Sequence, residues 1–242
     1  MRPVHAAQER NISTVMDKCS SRQLTAGSWQ LYGRRQSRPL RKNKQQLMAT
    51  LLPQLRITLD EPFIPPTQPL WIEIGFGGGE HLATLAQQHP KVSFIGCEPF
   101  INGVANLLKS IDTLTLSNIR IVHGDAREVL QWLPDAAVER IYILFPDPWP
   151  KKRHYKRRLI QLETLAQLAR ILKPKGQLVI ATDHADYLEW IQEMFAQQAW
   201  FHPDLQGRPN IYERPKTWIA SRYEEKALAS GRQPGYMVYV RG

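Results

Sequence analysis

Between residues 70 and 198 the chain repeatedly changes its hydrophobic period, and this constrains its fold more than any other feature. "LWIEIGF" is followed by "GEHLATLAQQH", "VSFIGCEP" by "INGVANLLKSI", and "IRIVHGDA" by "REVLQWL". "RIYILFPD" is followed by "RLIQLETLAQLARILK", and "QLVIATD" by "DYLEWIQEMFAQQ". Near-continuous apolar runs read as strands buried on both faces, and segments with one apolar stripe read as covering helices. Their alternation predicts βαβ units, hence a mostly parallel sheet with helices on both faces. "GYMVYVRG" at the end alternates and is read as an added antiparallel edge strand. Before the first strand, "EPFIPPTQP" is a proline-rich connector, and Leu47, Met48, Leu51, Leu52 and Leu55 fit one helix face. Residues 1–30 are polar and aperiodic and are expected to be a mobile tail, leaving 31–242 as one domain with a basic N-terminal segment.

In such sheets ligands bind beyond the carboxyl ends of the strands. Each of the five predicted strands delivers an acid there: Glu73, Glu98, Asp125, Asp147 and Asp183. One acid at a strand end is commonly a helix cap or a turn residue. Five on one rim repel each other and call for a cationic or hydroxyl-rich ligand. The first strand runs into "GFGGG", with Gly75, Gly77, Gly78 and Gly79. A dinucleotide turn would read G-x-G-x-x-G, but the position of its third glycine, counted from Gly75, holds Glu80. An acid at a helix start opposes a pyrophosphate. The G-x-G-x-G form suits S-adenosyl-L-methionine, which carries no phosphate, and NAD is the alternative. Glu98 is placed to accept both ribose hydroxyls of an adenosine, and Asp125 to meet the adenine amino group.

The chain has 242 residues, 43% of them hydrophobic, and a formal charge of +10. That describes a globular protein with a polyanionic partner, nucleic acid before membrane, since no basic amphipathic helix with a bulky apolar face is evident. Two cysteines, Cys19 and Cys97, support neither a metal site nor a disulfide framework. With no apolar run long enough for a bilayer and no signal-peptide core, a cytoplasmic location is expected.

The charge is densest in "FPDPWPKKRHYKRR", residues 145–158, where Asp147 stands between prolines ahead of six Lys/Arg and His154. Methylases of exocyclic amines have D/N-P-P-Y at this strand end, and the string here is D-P-W-P. Together, "EIGFGGG", "FPDPWPKKRHYKRR", "LVIATDHADY" and "SRYEEKALASGRQPGY", with the basic "YGRRQSRPLRKNKQ", resemble the bacterial tRNA (guanine-N7-)-methyltransferase family over roughly residues 31–240.

The resemblance implies a Rossmann-like class I methyltransferase fold with a seven-stranded sheet. It further implies methyl transfer from S-adenosyl-L-methionine to N7 of a guanine in the tRNA variable loop (position 46). It assigns Glu73, Gly75, Gly77, Glu98, Asp125 and Asp147 to the donor site, with Asp147 also the catalytic residue. Lys151, Asp183, Ser221, Arg222, Tyr223 and Glu224 would contact the tRNA. The family commonly has Thr where this chain has Ser221.

Guanine N7 carries no proton, so the reaction needs positioning and electrostatics and no general base. Asp147 would stabilise the developing cation. Asp183 or Glu224 would accept from the guanine N1–H and amino edge. Lys151, Lys152, Arg153, Lys156, Arg157 and Arg158, with Arg34 and Arg35, would hold phosphates. Plainer readings stand beside these. "SRYE" is also a capping box, Asp183 can cap the next helix, the basic run can be a solvated face, and Trp149 can be core. The competing functions are a non-catalytic RNA-binding protein on the same fold and a methylase of another acceptor. Monomer and homodimer are both compatible with the sequence.

Overall fold

The computed structural model describes residues 32–33, 35–216 and 218–242. The expected tail over 1–30, together with Cys19 and Arg34, lies outside them. Helices α1 (Lys42–Thr50) and α2 (Leu52–Leu55) precede the sheet. The alternating core then runs β1 (Leu70–Ile74), α3 (Glu80–Gln88), β2 (Ser93–Cys97), α4 (Ile101–Leu114), β3 (Ile119–Val122), α5 (Ala126–Trp132) and β4 (Val138–Leu144). A 3-10 helix (Lys152–Arg157) leads to α6 (Leu162–Ile171), β5 (Leu172–Thr182), α7 (Ala185–Ala196), β6 (Phe201–Pro203), α8 (Arg222–Ala229) and β7 (Gly235–Arg241).

The sheet has seven strands in the order β3-β2-β1-β4-β5-β7-β6. Strands β1 to β5 are parallel, and β7 is antiparallel to both β5 and β6. The final segment is therefore antiparallel as expected but is not an edge. The three-residue β6 takes that place, too short to show a period in the sequence. Strand alternation divides the core in two. Leu70, Ile72 and Ile74 of β1 pack with Leu130, Leu165, Leu168 and Ile191 on one face. Phe94, Ile121 and Val179 pack with Leu47, Leu82, Leu107 and Leu108 on the other. Because neighbouring side chains on a strand point to opposite faces, β1 to β5 and β7 contribute to both layers, whereas the short β6 adds Phe201 to the first alone.

Chain order reverses between β1 and β4, so the crossovers diverge there and leave a crevice beyond the strand ends. The segment before α1 reaches that crevice. The Arg35 carbonyl accepts from Ile101 N–H at 3.0 Å. The Asn102 side chain accepts from Ser37 N–H at 2.9 Å and donates to the Arg38 carbonyl at 2.8 Å. This strap brings Tyr32 and Gly33 to the crevice wall. Among the described residues no helix is long and apolar enough to cross a membrane.

Candidate active site

A cleft of about 880 Å³ opens where β1 and β4 diverge. Its lining includes Gly75, Gly77, Glu98, Asp125, Asp147 and Tyr223. Six of the residues singled out in the sequence thus meet in one cavity. Gly75 and Gly77 have φ of +74° and +55°, a backbone region that side chains disfavour. Gly103 at the start of α4 packs so closely on the Gly77 carbonyl that a methyl group there would collide with it. The turn is therefore fixed from behind by α4.

Glu98 follows β2 and is 7% exposed. Its carboxylate accepts from Gly77 N–H at 2.6 Å and from Phe100 N–H at 2.9 Å. Burial pushes its pKa up to about 7, against the two backbone donors, and the charges of Asp147 and Glu73 add to the rise. Asp125 caps α5, taking Arg127 N–H at 2.9 Å, and also receives the Arg127 guanidinium at 3.0 Å. The capping reading is met, and the same residue still lines the cleft.

Asp147 stands on a strained turn. Phe145 and Trp149, both L residues, have φ of +52° and +43°. Phe145 N–H donates to the Ala181 carbonyl of β5 at 2.7 Å, and the Pro148 carbonyl accepts from Arg158 Nε at 2.9 Å. Both ends of the turn are thereby pinned. The Asp147 residue is exposed to the cleft, yet the walls remove enough water from its carboxyl to raise its pKa. The Gly33 backbone passes beside it, and a methyl group there would lie 3.2 Å from the Asp147 Oδ2.

The structure places the remaining expected residues differently. Glu73 is not among the residues lining the cleft; it is buried behind the glycine turn, with Oε2 2.8 Å from His81 Nδ1. Lys151, Lys152, Arg153 and Lys156 are exposed on or beside the 3-10 helix, as a phosphate-binding face requires. Arg158 is not part of that face. It is 2% exposed, ion-paired with Asp186 and laid against the Tyr155 ring at 3.7 Å. The expectation of a phosphate contact is corrected here: burial makes Arg158 the anchor of the Asp147 turn.

Asp183 pairs with Arg232 at 2.7 Å and does not line the cleft. It does not cap α7 either, whose N-cap is His184. Ser221 and Glu224 form the capping box in full. Glu224 is 0% exposed, and its carboxylate takes Trp218 Nε1 at 2.6 Å, the Tyr236 hydroxyl at 2.5 Å and Arg214 Nε at 2.6 Å. A carboxylate so enclosed presents no free acceptor to a guanine edge. It holds the start of α8, where Arg222 is exposed and Tyr223 leans over Gly77. Burial, with the negative charges of Glu98 and Asp147, raises the Tyr223 pKa.

Sequence reasoning missed Tyr32 and Arg127, and it left Trp149 between core and site. Arg157 stacks over Tyr32 at 4.2 Å and Trp149 at 5.0 Å, and all three line the cleft. The signal for Tyr32 lay in the strap's contact with α4, a long-range relation with no local pattern.

Three comparisons bear on this arrangement. A family model described as "Putative methyltransferase" matches residues 67–235. A tRNA (guanine-N(7)-)-methyltransferase of Caulobacter sp. (strain K31) is 44% identical over 89% of this chain and 96% of its own. One of Rhodospirillum rubrum is 43% identical over 87% of both chains. Among solved structures, an rRNA methylase from Streptococcus thermophilus superposes with a TM-score of 0.50 at 12% identity, over 74% of this chain and 89% of that one. At that identity the likeness concerns the fold alone, a Rossmann-like methyltransferase sheet. With relatives this similar over nearly its full length, the chain belongs to the tRNA (guanine-N(7)-)-methyltransferase family.

Proposed function

We propose that the chain transfers a methyl group from S-adenosyl-L-methionine to N7 of a guanine in tRNA, at position 46 of the variable loop. The observation that carries this reading is the placement of Asp147. A pinned turn sets it in the same cleft as the glycine turn and Glu98, and the exposed cations of the 3-10 helix begin within five residues of it. The family's relatives supply the tRNA and the guanine atom by name. The variable-loop position rests on the sequence resemblance.

The cleft residues fit a cationic adenosine donor. Burial raises the proton affinity of both Glu98 and Asp147, the charge of Asp147 adds to the rise at Glu98, and a positive ligand between them would offset that cost. The first turn of α3 carries Glu80, whose carboxylate folds back over Gly78, where a pyrophosphate would need the helix N-terminus. Gly75 and Gly77 allow close backbone approach, Glu98 would hold the ribose hydroxyls, and Asp125 with Ala126 and Leu130 would receive the base. Glu73 would support the turn from behind. The donor, when bound, supplies the methyl group on a sulfonium.

This chain's residues do the rest without taking a proton. Asp147 would offset the positive charge that N7 acquires. Tyr223 would cover the glycine turn and exclude water. Lys151, Lys152, Arg153 and Lys156 would hold the RNA backbone and Arg222 would add to them, while Asp183 and Ser221 would act through the elements they fix. Residues 31–242 would work as one domain. The test is incubation of bulk tRNA with labelled donor and nucleoside analysis. Label in 7-methylguanosine is expected. Label in another nucleoside, or donor binding with no transfer to any RNA, would reject the reading in favour of another acceptor or a non-catalytic RNA-binding role.

A further inference from the structure

Within the acceptor reading proposed above, we infer that Arg157 recognises O6 of the target guanine and so sets the base specificity of the cleft. In sequence, Arg157 is one cation of a run in which phosphate contact is the default. The structure separates it from its neighbours. Lys151, Lys152, Arg153 and Lys156 are exposed, whereas Arg157 is partly buried in the cleft wall. Its guanidinium lies over the Tyr32 ring at 4.2 Å and near the Trp149 ring at 5.0 Å, and these rings meet edge to face at 6.1 Å. Aromatic faces hold the plane of the cation and leave its hydrogen-bond donors directed outward along that plane. One donor, the Nε–H, is buried in the cleft wall and meets no acceptor among the described residues. A buried donor without an acceptor is unfavourable, and a ligand oxygen would complete it.

The chemistry of the purine edge selects that oxygen. Guanine presents O6, an acceptor, beside N7, and adenine presents an amino donor in the same place. A fixed guanidinium there accepts guanine and sets donor against donor with adenine. Contact at O6 leaves the N7 lone pair unoccupied and free to face Asp147, which lines the same cleft as Arg157. A phosphate contact would use the same charge but would need neither the aromatic clamp nor a buried donor.

Single-site tRNA transcripts carrying guanine, inosine or 2-aminopurine at the acceptor position test this. Inosine keeps O6 and loses the 2-amino group; 2-aminopurine does the reverse. For the wild type, kcat/KM should fall by about tenfold to a hundredfold on 2-aminopurine, as for a hydrogen bond to a charged group, with inosine retaining the O6-dependent part. In Arg157→Met the guanine to 2-aminopurine ratio should collapse toward one, and Arg157→Lys should fall between. The slope of log tRNA affinity against log salt should stay unchanged in Arg157→Met. A phosphate contact would instead reduce it by about 0.7–0.9 and leave the base ratio intact. Donor binding and thermal unfolding report whether the variants are folded. The wild type alone also decides: equal use of guanine and 2-aminopurine, with 7-methylguanosine formed from the former, would overturn the Arg157 assignment only. Methylation of the guanine transcript at another atom would overturn the acceptor reading on which it rests.

Discussion

The Glu98 carboxylate reaches across the cleft floor to take the Gly77 N–H at 2.6 Å, tying the end of β2 to the glycine turn after β1. One residue thereby shapes the turn and presents its remaining lone pairs to the cavity. Glu98→Ala should weaken donor binding by about 1.5–3 kcal/mol, the range for a hydrogen bond to a charged group, and leave tRNA binding nearly unchanged. Calorimetry with the donor and filter binding with tRNA separate the two effects. Unaltered donor affinity would reject the ribose assignment.

The same carboxyl predicts a pH dependence. Its pKa of about 7 in the folded protein lies above the ordinary 4.5, so the folded state binds the extra proton between those values. The ligand-free protein should therefore lose stability as pH rises from about 4.5 to about 7, by about 3 kcal/mol at most. Donor binding, which needs the carboxylate, should tighten over the upper part of that window and release a proton. Chemical unfolding across the pH series reads the first effect, and calorimetry in buffers of different ionisation enthalpy reads the second. Glu98→Gln should flatten both, and an unflattened profile would place the titration elsewhere.

Arg158 should behave unlike the rest of its run. Arg158→Gln leaves the Pro148 carbonyl without its donor and loosens the packing on Tyr155, Tyr187 and Trp190. Its partner Asp186 is partly exposed and water can take over there, so the expected loss is about 2 kcal/mol of stability. The salt slope of tRNA binding should not move, whereas neutralising Lys152 and Arg153 should reduce it by about 1.4–1.8. A lowered slope with unchanged stability in Arg158→Gln would return it to the phosphate-binding face.

The layered fold was readable because its cause is local. Apolar runs such as "IYILF" and stripes such as Leu165 and Leu168 recur at the periods of strands and helices, and the rim acids follow from where those strands stop. What each acid does was less readable, because partners come from distant segments. Glu98 and Asp125 face the cleft, while His81 turns Glu73 away from it and Arg232 engages Asp183. Arg158 and Arg157 differ for the same reason. Adjacent in a run of like charges, they diverge only when the chain turns one toward Asp186 and the other toward Tyr32.

Glu224 is the residue whose removal should damage most with least direct contact to ligands. Glu224→Ala leaves Trp218 Nε1, the Tyr236 hydroxyl and Arg214 without their acceptor and abolishes the capping box. Water can take over at the half-exposed Arg214, so a loss of about 2–4 kcal/mol is expected, chiefly from the Trp218 and Tyr236 donors left unpaired. Ser221→Ala removes the cap alone and should cost about 1 kcal/mol. Thermal or chemical unfolding orders the two. Near-wild-type stability of Glu224→Ala with lost activity would favour direct contact with the base.

The most direct test of the whole account is methylation of a tRNA in which the guanine proposed as the acceptor is replaced by 7-deazaguanine. The replacement deletes the nucleophilic nitrogen and keeps the shape and Watson–Crick edge of the base. The account predicts that this tRNA binds with near-normal affinity, accepts no methyl group from labelled donor, and inhibits methylation of the unmodified tRNA. Incorporation of label into the 7-deazaguanine tRNA at the normal rate would contradict it.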